Sequence, residues 1–369
     1  MTIKANSLAL LIHVNFHDSE KSEDLEEFKL LTLSSGLTPH HIIQASRAIP
    51  TAKYFIGTGK LTEIKNLLNH DPVSVVLVNH NLSPAQSRNL EQVLQCRVID
   101  RTELILDIFA QRARTFEGML QVELAQLKHL STRLIRGWTH LERQKGGIGL
   151  RGPGESQLET DRRLIRKRIA TINQRLDKVA EQRSQNRHSR KTHGMPCIAL
   201  VGYTNAGKST LFNRLTRSDA YVADQLFATL DPTSRRCYIP ELGNVIMIDT
   251  VGFIRHLPPD LIKAFKATLE ETLQADLLLH VIDRHDTKRH EHKEEVLSII
   301  HELGAGAIPI LQVNNKLDLL PDLEPSTQYD ENAKPIKVQL SSRSGAGIPL
   351  LYEALKNLLG NTAELTRPQ

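Results

Sequence analysis

The chain is predicted to be α/β, with a P-loop nucleotide-binding domain on a mostly parallel sheet flanked by helices. A small α/β domain and an antiparallel helical hairpin precede it. Three observations carry the prediction. Residues 202–209, GYTNAGKS, lie between an apolar β-branched run and an amphipathic stretch, the strand, loop and helix context of a phosphate-binding loop. DTVGF (249–253) and NKLD (315–318) follow two further apolar runs. In the middle of the chain, two long apolar stripes at spacings of three and four flank a glycine-rich basic segment.

The first part, residues 1–113, reads as a small α/β domain. LALLIHV, HIIQASRA, VSVVLVN and CRVID have the composition of strands, with helices expected near 21–33, 59–69 and 83–95. GTGK (57–60) lacks phosphate-loop spacing and opens a plain LTEIKNLL helix, so it is read as a helix start and not as an ATP site. MTIKANSLALLIHVNFHDSE has no basic n-region with a small-residue cleavage site, and no apolar run approaches about 20 residues. A cytoplasmic protein without a membrane span is expected.

Residues 114–190 are expected to form the hairpin. Phe116, Leu120, Leu124, Leu127, Leu134, Trp138 and Leu141 make one stripe, interrupted by Ser131. Leu158, Ile165, Ile169, Ile172, Leu176 and Val179 make the other, and both read as packing surfaces. Between them runs ERQKGGIGLRGPGESQLE, with the glycine-rich loop bounded at 142–155. Arg143, Lys145 and Arg151 give this tip positive charge with little bulk, so it can come close to a phosphate backbone. The bland alternative is an ordinary connector.

Charge supports the basic arm. Residues 101–194 hold 20 Lys plus Arg against 10 Asp plus Glu, a net of +10, so the remainder carries −5 of the +5 total. Charge runs are usually solvated faces, and composition alone leaves nucleic-acid binding open.

Residues 195–361 hold the nucleotide chemistry, followed by a short tail at 362–369. Gly202 and Gly207 bracket a loop whose backbone N–H groups can wrap phosphate oxygens. Lys208 can reach the β- and γ-phosphates at the helix N-terminus, and the Ser209 hydroxyl can ligate Mg²⁺. Asp249 ends a strand where a carboxylate can hold Mg²⁺, and the Gly252 N–H can sense a γ-phosphate. The Asp318 carboxylate can accept from N1–H and the 2-amino group of guanine. Adenine would leave it unpaired at about 1–3 kcal/mol or more. Asn315 and Lys316 would flank the base, and the serine-led loop with Ser341 and Ser342 would close over it. For the switch hydroxyl, Thr229, Thr233 and Ser234 compete. Phe253 stands where a glutamine would orient the attacking water, so catalysis needs electrostatic placement, a backbone group or help in trans.

Three cysteines, Cys96, Cys197 and Cys237, have no metal-ligand spacing and are expected as buried thiols. Among 16 histidines the densest group, His285, His290 and His292, is expected in a solvated loop entering a helix.

GGIGLRGPGESQLETDRR resembles the signature of the HflX family of translational GTPases, with Ser156 where that pattern has threonine. DTVGFIRHLPPDLIKAFKATLEET resembles its switch II, FATLDPTSR its switch I and YFIGTGK (54–60) its N-terminal domain, so the likeness spans nearly the whole chain. It implies a GTPase, slow alone, that binds the large ribosomal subunit and its rRNA through Arg143, Lys145 and Arg151. Such a factor helps to split stalled or stressed ribosomes. It implies Thr229 as the switch threonine. In related GTPases a loop asparagine at the position of Asn205 can coordinate K⁺ beside the phosphates; the alternative is that Asn205 only shapes the loop. The catalytic set is then Lys208, Thr229, Gly252 and Asn205, and the Mg²⁺ set Ser209, Thr229 and Asp249. Nucleotide contacts are expected from Gly202, Tyr203, Thr204, Asn205, Ala206, Gly207, Lys208, Ser209 and Thr210. Further contacts are expected from Phe227, Ala228, Thr229, Asp249, Thr250, Val251, Gly252, Asn315, Lys316, Asp318, Ser341, Ser342 and Arg343. Longer family members carry an additional C-terminal domain, whereas only NTAELTRPQ follows LLYEALKNLLG here. The competing readings are an RNA-linked assembly or signalling GTPase without splitting activity, and a metabolic ATPase. A monomer is expected.

Overall fold

The structure, a computed structural model, describes residues 7–16, 24–136, 153–191, 195–217, 226–227, 229–230, 233–255, 257–258, 261 and 275–364. Two compact units divide it: Met1–Gln111 with Met119–Leu176, and Arg112–Gly118 with Asp177–Gln369.

The first unit is built on a parallel four-stranded sheet, β2-β1-β3-β4, of β1 (Leu8–Phe16), β2 (Thr38–Arg47), β3 (Val75–Val78) and β4 (Val98–Asp100). Its helices are α1 (Leu25–Ser34), α2 (Thr58–His70), α3 (Pro84–Leu94) and α4 (Arg101–Arg112). Local chemistry fixes their starts. The Asp24 carboxylate accepts from the Glu26 and Glu27 amides to cap α1, and Ser83 with Gln86 forms a capping box ahead of Pro84 on α3. The sequence had left α4 unassigned. Its first residue, Arg101, is 1% exposed and is bonded to the Glu27 carboxylate and to Asn79 Oδ1 at 2.9 Å.

Helix α5 (Phe116–Arg136) and α6 (Pro153–Lys191) meet through Leu120, Leu124 and Ile172, with Leu127, Ile169 and Leu176 packed against them. An Arg168–Glu123 fork with bonds of 2.6 and 2.9 Å closes the contact. Two expectations change. Phe116 is 56% exposed and is not part of the packed stripe, and α6 begins at Pro153, inside the stretch read as loop. Proline suits a first helical turn, where its missing N–H has no partner to lose. The tip residues Arg143, Lys145 and Arg151, with Trp138 and Leu141, lie outside the described residues.

The second unit carries a seven-stranded sheet in the order β10-β11-β9-β8-β5-β7-β6. Its strands are β5 (Cys197–Val201), β6 (Thr233–Ile239), β7 (Gly243–Asp249), β8 (Leu277–Asp283), β9 (Ile310–Asn315), β10 (Ser326–Tyr329) and β11 (Pro335–Gln339). The five inner strands run parallel, and β6 and β10 are antiparallel edges. The chain passes from β5 to β7 on one side and then to β8 on the other. The carboxyl end of β5 is therefore the switch point at which such sheets leave a crevice.

Helices α7 (Lys208–Thr216) and α9 (Ile348–Glu364) cover one face, where Leu211, Phe212, Leu215, Leu351 and Leu355 join Ile198, Leu200, Leu279 and Val313 in one core. Helix α8 (Arg289–Glu302) adds the buried Val296, Ile299 and Ile300. Of the cysteines only Cys237 is buried. Cys96 and Cys197 are half-buried because each sits at the start of a strand region near the surface.

Phe212 is completely buried and anchors the helix that starts with Lys208 and Ser209. Phe212→Ala is expected to lower unfolding free energy by about 3–5 kcal/mol in urea titration.

Candidate nucleotide site

The loop after β5 is shaped by its neighbours as much as by its glycines. Gly207, at φ +90°, caps α7, and a Cβ there would sit 2.2 Å from Asn315 Nδ2. That amide donates to Ala206 O at 2.9 Å, while Asn315 Oδ1 accepts from the Ser342 amide at 2.8 Å. One buried side chain thus ties together the phosphate loop, NKLD and the serine-led loop.

Lys208 is buried, and its ammonium donates to the carbonyls of Gly202 at 3.0 Å and Tyr203 at 2.8 Å. Burial pulls its pKa down to about 8, opposed by the nearby Asp249. Asp249 is itself 2% exposed; burial raises its pKa, while Lys208, Ser209 and Thr229 oppose the rise. Its Oδ2 accepts from Ser209 Oγ at 2.8 Å and Thr229 Oγ1 at 3.0 Å, and those two hydroxyls are 2.7 Å apart. Asp249 Oδ1 is buried without a partner, as is Thr204 Oγ1. Two hydroxyls and a carboxylate, one of whose oxygens is buried and unpartnered, form a hard, all-oxygen set that fits Mg²⁺. Of the three competing hydroxyls, Thr229 lies in this cluster, whereas Thr233 and Ser234 belong to β6.

Gly252 faces the same spot: an added Cβ would lie 2.9 Å from Thr204 Cα and 3.0 Å from Lys208 Nζ. Phe253 is 2% exposed, and its backbone pairs with the phosphate loop, Thr204 N to Phe253 O at 2.7 Å and Phe253 N to Gly202 O at 3.1 Å. Those bonds fix its ring in the interior, so it contributes no water-orienting group.

At the far end, Ser341 Oγ donates to Asp318 Oδ1 at 2.5 Å, and Lys316 Nζ pairs with Asp283 at 2.8 Å. Arg214 Nε donates to Ser342 O at 2.5 Å, and the same guanidinium reaches Arg343 O, pinning the serine-led loop to α7.

A cavity of about 580 Å³ joins these parts. Thr204, Asn205, Gly207, Lys208, Ser209, Thr210, Phe227, Thr229, Thr250, Gly252, Asn315, Lys316, Asp318, Ser342 and Arg343 line it. Among the other expected contacts, Gly202, Tyr203, Ala206, Asp249 and Ser341 stand behind the wall and bond to groups that form it, and Val251 is buried. Ala228 lies outside the described residues.

Several residues escaped the sequence reading. Leu319 lines the cavity, and Arg214 tethers the serine-led loop. His292, expected in solvent, stacks on Tyr203 with centroids 3.8 Å apart and an interplanar angle of 13°. Asp286 holds its Nδ1 at 2.6 Å, and Tyr203 Oη accepts from the Arg255 amide at 2.8 Å. Residues far apart in sequence make this contact, so their spacing gave no sign of it.

Residues 22–110 match the family described as GTP-binding GTPase N-terminal, 112–190 the GTP-binding GTPase middle region, and 197–316 the 50S ribosome-binding GTPase family. The GTPase HflX of Escherichia coli (strain K12) is 58% identical over 363 residues, covering 98% of this chain and 85% of the relative. This chain belongs to the HflX family of GTPases. The GTPase HflX of Magnetococcus marinus is 46% identical over 339 residues, 91% of this chain and 78% of that one. The crystal structure of an SsGBP and GDP complex matches with a TM-score of 0.54 and 25% identity, across 96% of this chain and 99% of that chain. As an HflX family GTPase the chain binds and hydrolyses GTP. Among its described residues no helix is long and apolar enough to cross a membrane.

The depressed Lys208 value has a signed consequence. Between pH about 8 and the ordinary value of 10.5, the nucleotide-free folded chain holds less proton at Lys208 than the unfolded chain. Its stability therefore gains as pH rises through that window. A phosphate brought to this amine favours the ammonium. Above pH about 8, GTP binding is expected to take up a proton and weaken by up to about tenfold per pH unit. Calorimetry in buffers of different ionisation enthalpy checks this.

Proposed function

We propose that this GTPase is a cytoplasmic, monomeric translation factor. It binds the large ribosomal subunit through its basic arm and promotes dissociation and rescue of stalled or stressed ribosomes. The observation that carries the nucleotide half of the proposal is the convergence of Ser209, Thr229 and Asp249 within 3.0 Å hydrogen bonds at the mouth of the phosphate loop. The ribosomal half is supported by the match of residues 197–316 to a 50S ribosome-binding family and by the net +10 of residues 101–194.

In this reading the loop amides from Gly202 to Thr210 cradle the phosphates, and Lys208 neutralises the β- and γ-oxygens. Ser209, Thr229 and Asp249 would hold Mg²⁺, which would supply charge neutralisation for the phosphates. Gly252 offers its N–H to the γ-phosphate. Asp318, steadied by Ser341, pairs with the guanine edge between Asn315 and Lys316. Thr229 and Gly252 both line the cavity, so in this reading both would sense whether a third phosphate is present.

Phe253 is buried and supplies no water-orienting group, so in this reading the isolated chain turns over slowly. Asn205 is exposed at φ +60° on the cavity wall, where its carbonyl can share a K⁺ with the phosphates. Turnover is expected to rise in K⁺ relative to Na⁺, and Asn205→Ala to remove the difference. Equal wild-type rates in the two salts would exclude this role.

The ribosomal reading is tested by sedimentation with ribosomes and a non-hydrolysable GTP analogue. Co-migration with the large subunit is expected, with binding weakened and its salt dependence reduced when Arg143, Lys145 and Arg151 become Ala. Failure to co-migrate overturns it and leaves an assembly or signalling role on another RNA.

A further inference from the structure

We propose that His40, His41 and Asp71 form a surface site for a borderline divalent ion of the zinc class. The site arises from a defect in the first unit's edge strand. Ala9 pairs with Pro39 and Leu10 with His41, which leaves His40 as an extra residue in β2. Neighbouring side chains of a regular strand point to opposite faces, and a bulge re-aims one of them. Here both imidazoles turn to one side, with ring centroids 4.2 Å apart.

They converge on Asp71, the residue that caps the C-terminus of α2. His40 Nε2 lies 2.7 Å and His41 Nε2 2.9 Å from Asp71 Oδ2. All three candidate ligand atoms fall within 4.8 Å of one another. Both imidazoles meet the Asp71 carboxylate through Nε2. Among the described residues its ion pairs are with these two imidazoles alone.

A second cluster gives the contrast. Asp100, Glu103 and His129 also lie close together, but the Arg133 guanidinium already occupies both carboxylates, at 2.5 and 2.8 Å. Its counter-charge is supplied, so that cluster is an ion-pair network.

Two imidazole nitrogens and one carboxylate oxygen suit Zn²⁺, Ni²⁺ or Cu²⁺, and not Mg²⁺ or Ca²⁺, which take oxygen shells. Metal bonds of about 2.0–2.2 Å in a tetrahedron set ligand atoms about 3.4 Å apart, so the His40 and His41 N–O pairs open by about 0.7 and about 0.5 Å. Each imidazole then carries its proton on Nδ1 and presents the Nε2 lone pair to the ion. Side-chain exposures of 34%, 25% and 47% leave the fourth position to water. Filled, the site fastens the start of the edge strand β2 to the end of α2.

The test uses the full chain, freed of metal by chelation, titrated with Zn²⁺ alone in a calorimeter. One equivalent is expected, with affinity at least tenfold weaker in His41→Ala and in Asp71→Asn. GTP turnover with Mg²⁺ should be unchanged in both. Co²⁺ replaces Zn²⁺ in a second measurement, and its spectrum is expected to show nitrogen and oxygen ligation without a thiolate charge-transfer band. No uptake by the wild type, unaltered uptake in both variants, or a thiolate band from Cys96 or Cys197 would overturn the proposal.

Discussion

The buried amide of Asn315 is the constraint on which the nucleotide site depends. It is wholly inaccessible, donates to the phosphate loop at Ala206 and accepts from the serine-led loop at Ser342. Breaking either bond would strand a buried polar group at about 1–3 kcal/mol, so the three loops hold one relative geometry before any ligand arrives. Gly207 exists within that geometry because a side chain there would displace the Asn315 amide. Arg214 adds a second tether from α7 to the same loop.

Electrostatic strain is concentrated at the other end of the cavity. Lys208 and Asp249 are both buried, and burial moves both away from their charged forms while each favours the charged form of the other. Two buried oxygens, Asp249 Oδ1 and Thr204 Oγ1, have no partner. A triphosphate with a divalent cation would supply negative charge to Lys208 and positive charge to Asp249, relieving both. The Tyr203–His292 stack and the Arg255 amide bond extend the region to α8 and to the chain just after Phe253.

Much of the fold was legible because its strands are short apolar runs bounded by turn residues, and its exposed helices are capped by local chemistry, as at Asp24 and Ser83. Helix α4 was not legible, since its first residue is an arginine whose burial depends on Glu27 and Asn79 from elsewhere in the chain. Phe116 kept the stripe's spacing without a partner to pack on, because periodicity specifies a face and not what covers it.

The sequence by itself determined the chemistry: GYTNAGKS, DTVGF and NKLD place the lysine, hydroxyl, carboxylate and expected base-reading groups at the ends of β5, β7 and β9. Their order along the chain sufficed, because the carboxyl ends of parallel strands must share one edge. Only the tertiary structure decided which of Thr229, Thr233 and Ser234 meets Asp249, and which expected contacts line the cavity or support it from behind. It also decided that His292 packs on the phosphate loop and that His40 and His41 face one way. Those outcomes depend on distances between segments remote in sequence and on a single register shift, neither of which leaves a periodic trace along the chain.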